Sequence, residues 1–167
     1  GLYWKYESWL KKLDYRQNTT LGAAGELFAV RKELFKPVER DTVLDDFIIS
    51  LRIAAAGYTV AYEPDAIATE LPSFSIQEEM KRKIRIAAGG FQSLSRLAFL
   101  FNIFKYGWLS FQFISHKVFR WVFCPFSMVL LIPVNIFVLI EHNENPLFNI
   151  VSILHLTIYL MAIIGWS

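Results

Sequence analysis

The second half of this 167-residue sequence has very few charged residues. From Leu97 onward there are three Lys or Arg and two Asp or Glu, and no residue after Glu144 carries a formal charge. The first 96 residues hold 14 Lys or Arg and 13 Asp or Glu, so the net charge is only +2. A nucleic-acid-binding domain needs a strongly basic surface, which this sequence does not supply. We therefore expect no nucleic acid partner.

Patterns that hold metals, disulfides or phosphate are also missing. Cys124 is the only cysteine in the sequence, which excludes an intrachain disulfide and a multi-cysteine metal site. No two of the three histidines have metal-ligand spacing, and we predict no metal in this chain. The glycine-rich loop at 22–25 lacks the Lys-Ser/Thr that directly follows the last glycine of a phosphate loop. These absences exclude disulfide scaffolds and P-loop enzymes.

Apolar residues, in contrast, make up 54% of the sequence. Two windows, 121–140 and 147–166, each contain 20 residues with no Asp, Glu, Lys or Arg. Roughly 20 apolar residues in a helix cross a hydrocarbon core of about 30 Å, so we predict two transmembrane helices. A buried helical hairpin of a large soluble protein is the alternative. Because neither window carries the ionisable residues that mark a substrate path, a transporter is disfavoured.

The flanking charges predict how the protein lies in a plasma or inner membrane. Lys105, Lys117 and Arg120 precede the first window, whereas the loop between the windows has no Lys or Arg. Basic residues favour the cytoplasmic side, so we place the N-terminal portion in the cytoplasm and the loop outside. The aromatic segment at 97–120 is typical of an amphipathic helix in the headgroup region. The first residue is not Met, and we interpret both ends as truncations.

The first 96 residues have the element pattern of an α/β domain. The predicted elements are helices at 1–20, at 42–56 and from Ser75 onward, with short strands at 58–62 and 66–69. Thr42 and Asp45 resemble a capping box at the start of the second helix. Ser75 and Glu78 resemble another at the start of the third, which Gly89-Gly90 is expected to interrupt. This order suits the edge of an α/β domain.

Two groups of residues in this portion are candidates for chemistry. Asp45 and Asp46 open the second helix, where the helix dipole and capping favour acidic residues. Asp45 meets that structural need and leaves Asp46 unexplained; a carboxylate beside a sugar hydroxyl can take its proton as the hydroxyl attacks an anomeric carbon. Arg82 and Arg85 share a helix face. They suit either an ordinary solvated face or a diphosphate leaving group, on which charge develops in the transition state.

The order and spacing of these segments resemble the family-2 glycosyltransferases, inverting GT-A enzymes of the cellulose-synthase and poly-N-acetylglucosamine-synthase type. The resemblance covers residues 19–166 and rests on Gly22-Ala-Ala-Gly25 with Arg31-Lys32, Leu44-Asp45-Asp46-Phe47, Gly57-Tyr58 with Tyr62-Glu-Pro-Asp-Ala66 and Glu70, and Lys83-Ile-Arg85 with Gly89-Gly90. It implies an α/β fold: the C-terminal half of a GT-A-like domain, followed by an amphipathic interface helix and two transmembrane helices.

The resemblance also implies roles for residues around the acidic pair. Asp46 takes the position of the general base, and Asp45 is its neighbour. This agrees with the capping argument, which uses Asp45 and leaves Asp46. Gly22, Ala23 and Gly25 are expected to lie near the acceptor, since they take the position of the family's acceptor loop.

The basic helix departs from the family pattern at two positions. Arg85 keeps the arginine that contacts the diphosphate in the family. Arg82, however, replaces a glutamine, and Ile86 replaces a tryptophan on which the terminal acceptor sugar stacks. Isoleucine offers no flat surface for a sugar. Addition of one or a few sugars therefore fits better than processive polymerisation.

Some parts that the resemblance implies are missing from this sequence. The family's nucleotide-binding strand and metal-binding Asp-x-Asp precede the acceptor loop, and nothing before Gly22 supplies them. We therefore expect the fragment alone to be inactive and without a cofactor, and Mg²⁺ or Mn²⁺ to belong to the missing upstream half. The expected partners of the intact hexosyltransferase are a nucleotide-sugar donor, a saccharide or lipid-linked acceptor, and membrane lipid.

The predicted division of the chain has three parts. Residues 1–96 form the acceptor-side part of a catalytic domain, 97–120 the interfacial segment, and 121–167 the two transmembrane helices. A non-catalytic membrane scaffold with a small cytoplasmic domain is the alternative. It predicts that Asp46→Asn in the intact protein leaves the activity of any associated transferase unchanged.

Overall fold

Helices account for 73% of the residues that the structure describes. The computed structural model describes residues 2–69, 75–141 and 146–165, and the chain divides into two units, Gly1–Trp121 and Val122–Ser167. The α-helices are α1 (Leu2–Gln17), α2 (Asp45–Ala55), α3 (Ile76–Arg96), α4 (Ile103–Phe113), α5 (Cys124–Glu141) and α6 (Pro146–Ile164). A π-helical segment, Ile114–Phe123, joins α4 to α5, and short 3₁₀ turns lie at Lys32–Leu34 and Ala98–Phe101.

The α/β prediction is wrong, because the described residues are helical or irregular and contain no strand. The segment predicted as the first strand is joined to the loop after α1 by a hydrogen bond from the Thr20 amide to the Val60 carbonyl (2.9 Å). The Val60 amide donates to the Thr19 side-chain hydroxyl (2.8 Å) rather than to a backbone carbonyl. A β-ladder needs a repeated exchange of backbone hydrogen bonds. Here a hydroxyl takes the place of a carbonyl, and the chain stays irregular.

The core of the first unit forms around α2. Ile48 and Leu51 on this helix are fully buried, and α2 contacts both α3 and α4. Three large apolar side chains outside α2 are equally buried, namely Leu97, Leu100 and Phe113. Burying an Ile, Leu or Phe side chain stabilises a fold by about 1.5–3 kcal/mol. This core fixes the position of α2 and therefore of its acidic first turn.

The start of α2 differs from the prediction. The N-cap residue is Leu44, which makes no side-chain capping hydrogen bond. The Thr42 hydroxyl donates to the Glu39 carbonyl (2.6 Å), so the capping box predicted for this helix is wrong. The predicted cap of α3 is confirmed, because the Ser75 side chain accepts a hydrogen bond from the Glu78 amide (3.2 Å). The first turn of α2 must therefore be held by something other than a side-chain cap.

The predicted interruption of α3 at the glycine pair is also wrong, because α3 runs unbroken from Ile76 to Arg96. The glycines serve close packing instead. A Cβ on Gly89 would lie 2.8 Å from side-chain atoms of Val43 and Leu44, and a Cβ on Gly90 would lie 3.2 Å from the Trp121 ring. A larger residue at either position would push neighbouring side chains away. The absence of side chains at these two positions lets α3 approach its neighbours.

α1 is held against the helix that follows α4. Glu7 on α1 pairs with Arg120 (2.6 Å), and the Asp14 carboxylate lies 3.1 Å from the His116 ring. Gln112 is buried and donates to the Asp14 carboxylate (3.4 Å). Because of these contacts with α1, the residues from α4 to Trp121 belong to the first unit.

α4, the π-helical segment and α5 form one helix of 39 residues, Ile103–Glu141. Among the described residues it is the one helix that is long and apolar enough to cross a membrane by length and composition. The prediction of two transmembrane helices is wrong, since α6 supplies an apolar stretch of only 17 residues, Pro146–Ala162. Such a stretch is about 26 Å long. A hydrocarbon core is about 30 Å thick.

The second unit pairs α5 with α6 through polar side chains. Asn135 and Ser152 are buried, and the Ser152 hydroxyl donates to the side-chain oxygen Oδ1 of Asn135 (3.4 Å). The Asn135 amide also contacts the His155 ring. The Tyr159 hydroxyl donates to the backbone carbonyl of residue 128. Most of the large apolar side chains of both helices remain exposed, which is the distribution expected of helices in an apolar surrounding.

Candidate active site

The acidic pair occupies the first turn of α2, as the sequence predicts. Asp45 is exposed, whereas the side chain of Asp46 is half-buried. Burial raises the pKa of the Asp46 carboxyl, and the neighbouring carboxylates of Asp45 and Glu26 raise it further. A hydrogen bond from the Phe47 amide opposes part of this effect. Asp46 is therefore a stronger base when ionised than an ordinary aspartate.

The glycine-rich loop lies directly against this turn. A Cβ on Gly25 would lie 3.1 Å from Asp46 Oδ2, and a Cβ on Gly22 would lie 2.5 Å from the Phe47 ring. The Gly22 backbone has φ +90°, a conformation that L side chains rarely adopt. The Ala23 amide donates to the Ser50 hydroxyl (3.0 Å), which fixes the loop to α2. The loop and the acidic pair, predicted separately, thus form one group of residues.

An aromatic pair borders the same turn. The rings of Phe47 and Trp121 lie 5.3 Å apart between centroids, tilted by 57°. The Lys117 ammonium lies 5.3 Å from the centroid of Phe47 and 5.6 Å from that of Trp121, within range of a cation–π interaction. Sequence reasoning missed this cluster, since it assigned Lys117 and Trp121 to the membrane surface. The glycine at position 90 was the one sequence signal for this cluster, because the Trp121 ring packs where a side chain on residue 90 would lie.

The basic residues of α3 lie on an exposed face. Arg82 is bound by Glu79 in two hydrogen bonds of 3.1 Å, one turn away on the same helix. Arg85 and its neighbour Ile86 are also exposed. The sequence left two alternatives for these arginines, an ordinary solvated face and a site for a diphosphate, and their exposure is compatible with either one. The structure thus brings the loop to Asp46 and leaves the arginines facing solvent.

A metal centre was tested against the acidic residues of this region. No group of three or more His, Cys, Asp or Glu side chains among the described residues is arranged to hold a metal ion. Among the described residues, therefore, no such group is available to hold Mg²⁺ or Mn²⁺.

The described part of the chain is helical, with one helix of membrane-spanning length and a half-buried carboxylate beside a glycine-rich loop. The model of the family described as Glycosyl transferase family group 2 matches residues 14–166. The chain therefore belongs to this family of glycosyltransferases, which confirms the resemblance found in the sequence. Membership implies a nucleotide-sugar donor and an acceptor in general terms. No curated protein and no solved structure matches the chain.

Proposed function

We propose that the full-length natural protein transfers a sugar from a nucleotide-sugar donor to a saccharide or lipid-linked acceptor with inversion, and that Asp46 is the general base. The observation that carries this proposal is the contact between the two predicted parts of the site. A Cβ atom on residue 25 would lie 3.1 Å from Asp46 Oδ2, and because this residue is glycine that position is empty of side chain. This leaves room for an acceptor hydroxyl beside the carboxylate.

The proposed reaction is a single displacement. The Asp46 carboxylate removes the proton of an acceptor hydroxyl while its oxygen attacks the anomeric carbon of the donor sugar. The new glycosidic bond forms as the bond from that carbon to the nucleoside diphosphate breaks, and the diphosphate leaves with the bonding electrons. Attack from the side opposite the leaving group inverts the anomeric carbon. The raised pKa of Asp46 supports this role, because proton transfer to it is more favourable than to an ordinary aspartate.

The remaining site residues have supporting roles in this proposal. Gly22 and Ala23 shape the loop on the acceptor side, and Arg85, with Arg82, contacts the departing diphosphate. Exposure of Arg85 in α3 is consistent with reaching a ligand that arrives from solvent. The nucleotide-binding strand and the Asp-x-Asp are not among these 167 residues, so we propose that the residues alone do not turn over a nucleotide sugar. In this proposal Mg²⁺ or Mn²⁺ would be held by an Asp-x-Asp outside these 167 residues.

We also propose a location at the cytoplasmic face of a membrane. The helix Ile103–Glu141 is long enough to cross one. Basic residues at its N-terminal part favour the cytoplasmic side for the first unit. Aromatic side chains before and along its first turns are exposed, among them Phe99, Phe101, Phe104, Trp108 and Phe111. Such a surface suits the headgroup region and an acceptor close to lipid.

Asp46→Asn in the full-length protein tests the proposal. We expect transfer from the nucleotide sugar to fall by about 10²–10⁴-fold, the usual contribution of a general base. Stability at neutral pH should be unchanged or higher, because a carboxyl with a raised pKa destabilises the folded state once it ionises. Asp65→Asn, in an exposed turn, is the control and should transfer sugar like the natural protein. Full activity of Asp46→Asn would reject the proposal and favour the scaffold.

A further inference from the structure

The side chain of Gln92 on α3 forms hydrogen bonds with the backbone of residues 41 and 43, just before α2. Gln92 Oε1 accepts a hydrogen bond from the Val43 amide (3.0 Å). Gln92 Nε2 donates to the Asp41 carbonyl oxygen (2.9 Å). One side-chain amide therefore satisfies a backbone donor and a backbone acceptor that lie two residues apart. Such a pair of bonds fixes the direction of the chain as well as its position.

Arg96, one turn further along α3, reinforces the same segment. Its guanidinium lies 2.7 Å from the Asp41 carboxylate and donates to the Thr42 hydroxyl. It lies farther, 3.9 Å, from the Glu39 carboxylate. Residues 39–43 are thus bound to α3 through side chains and backbone alike. We call Gln92 and Arg96 the α3 clamp.

The α3 clamp holds the chain immediately before a helix that has no side-chain cap. The segment it holds ends at Leu44, the N-cap residue of α2, which makes no side-chain capping hydrogen bond. Gly89 lies one turn before Gln92 and brings α3 so close to residue 43 that a Cβ would lie 2.8 Å from the Val43 side chain. α2 begins at Asp45, two residues after Val43, and Asp46 is the second residue of the helix. Displacement of residue 43 would therefore be transmitted to the Asp46 carboxylate.

We propose that Gln92 is a positioning residue for Asp46: it acts through the backbone of residues 41 and 43 to hold the first turn of α2, so that the carboxylate stays beside Gly25. This inference rests on the proposed function. Gln92 does not itself touch the reacting atoms. It sets the geometry in which Asp46 meets an acceptor hydroxyl, and such geometry is worth about 10²-fold in rate for a displacement of about 1 Å.

The test compares three variants of the full-length protein. Gln92→Met keeps the length of the side chain and removes both hydrogen bonds, while Gln92→Glu keeps the acceptor for Val43 but cannot donate to the Asp41 carbonyl. Gln77→Met, on the exposed first turn of the same helix, is the matched control. The measurements are kcat and KM for acceptor and donor, the pH dependence of kcat/KM, and hydrogen exchange of the peptide covering 41–47.

We expect Gln92→Met to lower kcat by about 10–100-fold with the donor KM unchanged. Exchange in the 41–47 peptide should be faster, and the acid limb of the pH profile should move to lower pH as Asp46 gains access to solvent. Gln92→Glu should show a smaller change in the same direction, and it decides the question if Gln92→Met does not fold. Gln77→Met should behave as the natural protein.

Unchanged kcat and unchanged exchange in Gln92→Glu or Gln92→Met would overturn the inference. A lower kcat without faster exchange at 41–47 would also overturn it, since Gln92 would then act in some other way. Failure of the proposed function gives a different result. In that case Asp46→Asn keeps full transfer activity, or the full-length protein transfers no sugar at all, whatever residue stands at position 92.

Discussion

The surroundings of the Asp46 carboxylate raise its pKa on balance, although hydrogen bonds from backbone amides oppose part of this effect. Burial is the largest of the effects that raise it, and the negative charges of Asp45 and Glu26 act in the same direction. In the proposed role Asp46 must be ionised to accept a proton, so we expect transfer activity to be lost as the pH falls through its pKa. Because that pKa is raised, the loss should occur at a higher pH than for an ordinary aspartate.

Asp45→Asn is therefore expected to move the acid limb of the pH profile to lower pH. Removing the Asp45 charge takes away one of the effects that raise the pKa of Asp46, while its burial stays the same. The measurement is kcat/KM of the full-length protein as a function of pH. Glu33→Gln, an exposed acidic residue of the 3₁₀ turn, serves as the control for a change of net charge alone. An acid limb that stays in place, or moves to higher pH, would contradict the base assignment.

At the scale of the elements, the existence of the helices could be predicted from the sequence, but the segments that they contact could not. Apolar spacing and the Ser75 cap indicated that α2 and α3 exist, because these signals are local, but not where α2 begins or that α3 continues through Gly89-Gly90. The strands predicted after Gly57 depend on distant hydrogen-bond partners, and a hydroxyl at Thr19 takes one of those places. The acidic pair and the loop were identified from the chain order. The contribution of Gln92 was not, since it appears only when α3 lies beside the chain entering α2.

Gly89→Ala offers a test of how α3 packs. Replacing glycine by alanine inside a helix normally stabilises it by about 0.5–1 kcal/mol. Here we expect the opposite, a loss of about 1–3 kcal/mol, because the new Cβ would lie 2.8 Å from Val43 and Leu44 side-chain atoms. Ala88→Gly, at the neighbouring exposed position, should cost only the ordinary propensity difference. Thermal unfolding of the purified protein measures both changes. Stabilisation by Gly89→Ala would show that α3 does not approach residues 43–44 so closely.

At the scale of the whole molecule, the chain divides into two units of different character. The first unit has a mixed surface and an apolar core around α2, whereas the second exposes large apolar side chains along α5 and α6. In water an exposed apolar surface of this extent is unfavourable. A hydrocarbon surrounding removes that penalty, which supports a membrane location for the helix Ile103–Glu141.

Leu130→Glu combined with Val134→Glu tests that location. Both side chains are exposed on α5, and a charge near the middle of a membrane helix costs about 2.5–3.5 kcal/mol. We expect the full-length natural protein to stay with membranes after alkaline extraction and the double variant to be released or degraded. Leu27→Glu, an exposed apolar residue of the first unit, should leave membrane retention as it is. Equal retention of the double variant would show that the helix is not embedded.

Trp121 closes the first unit, and its ring lies on Phe47, the residue after Asp46. Evolution can exchange modules only where a joint leaves both parts intact. A crossover placed before the helix Ile103–Glu141 would separate Phe47 from the Trp121 ring. It would also separate Glu7 on α1 from Arg120, with which it forms an ion pair. A recombination that keeps these contacts must therefore carry the beginning of this helix with the first unit, and its crossover point lies after Trp121.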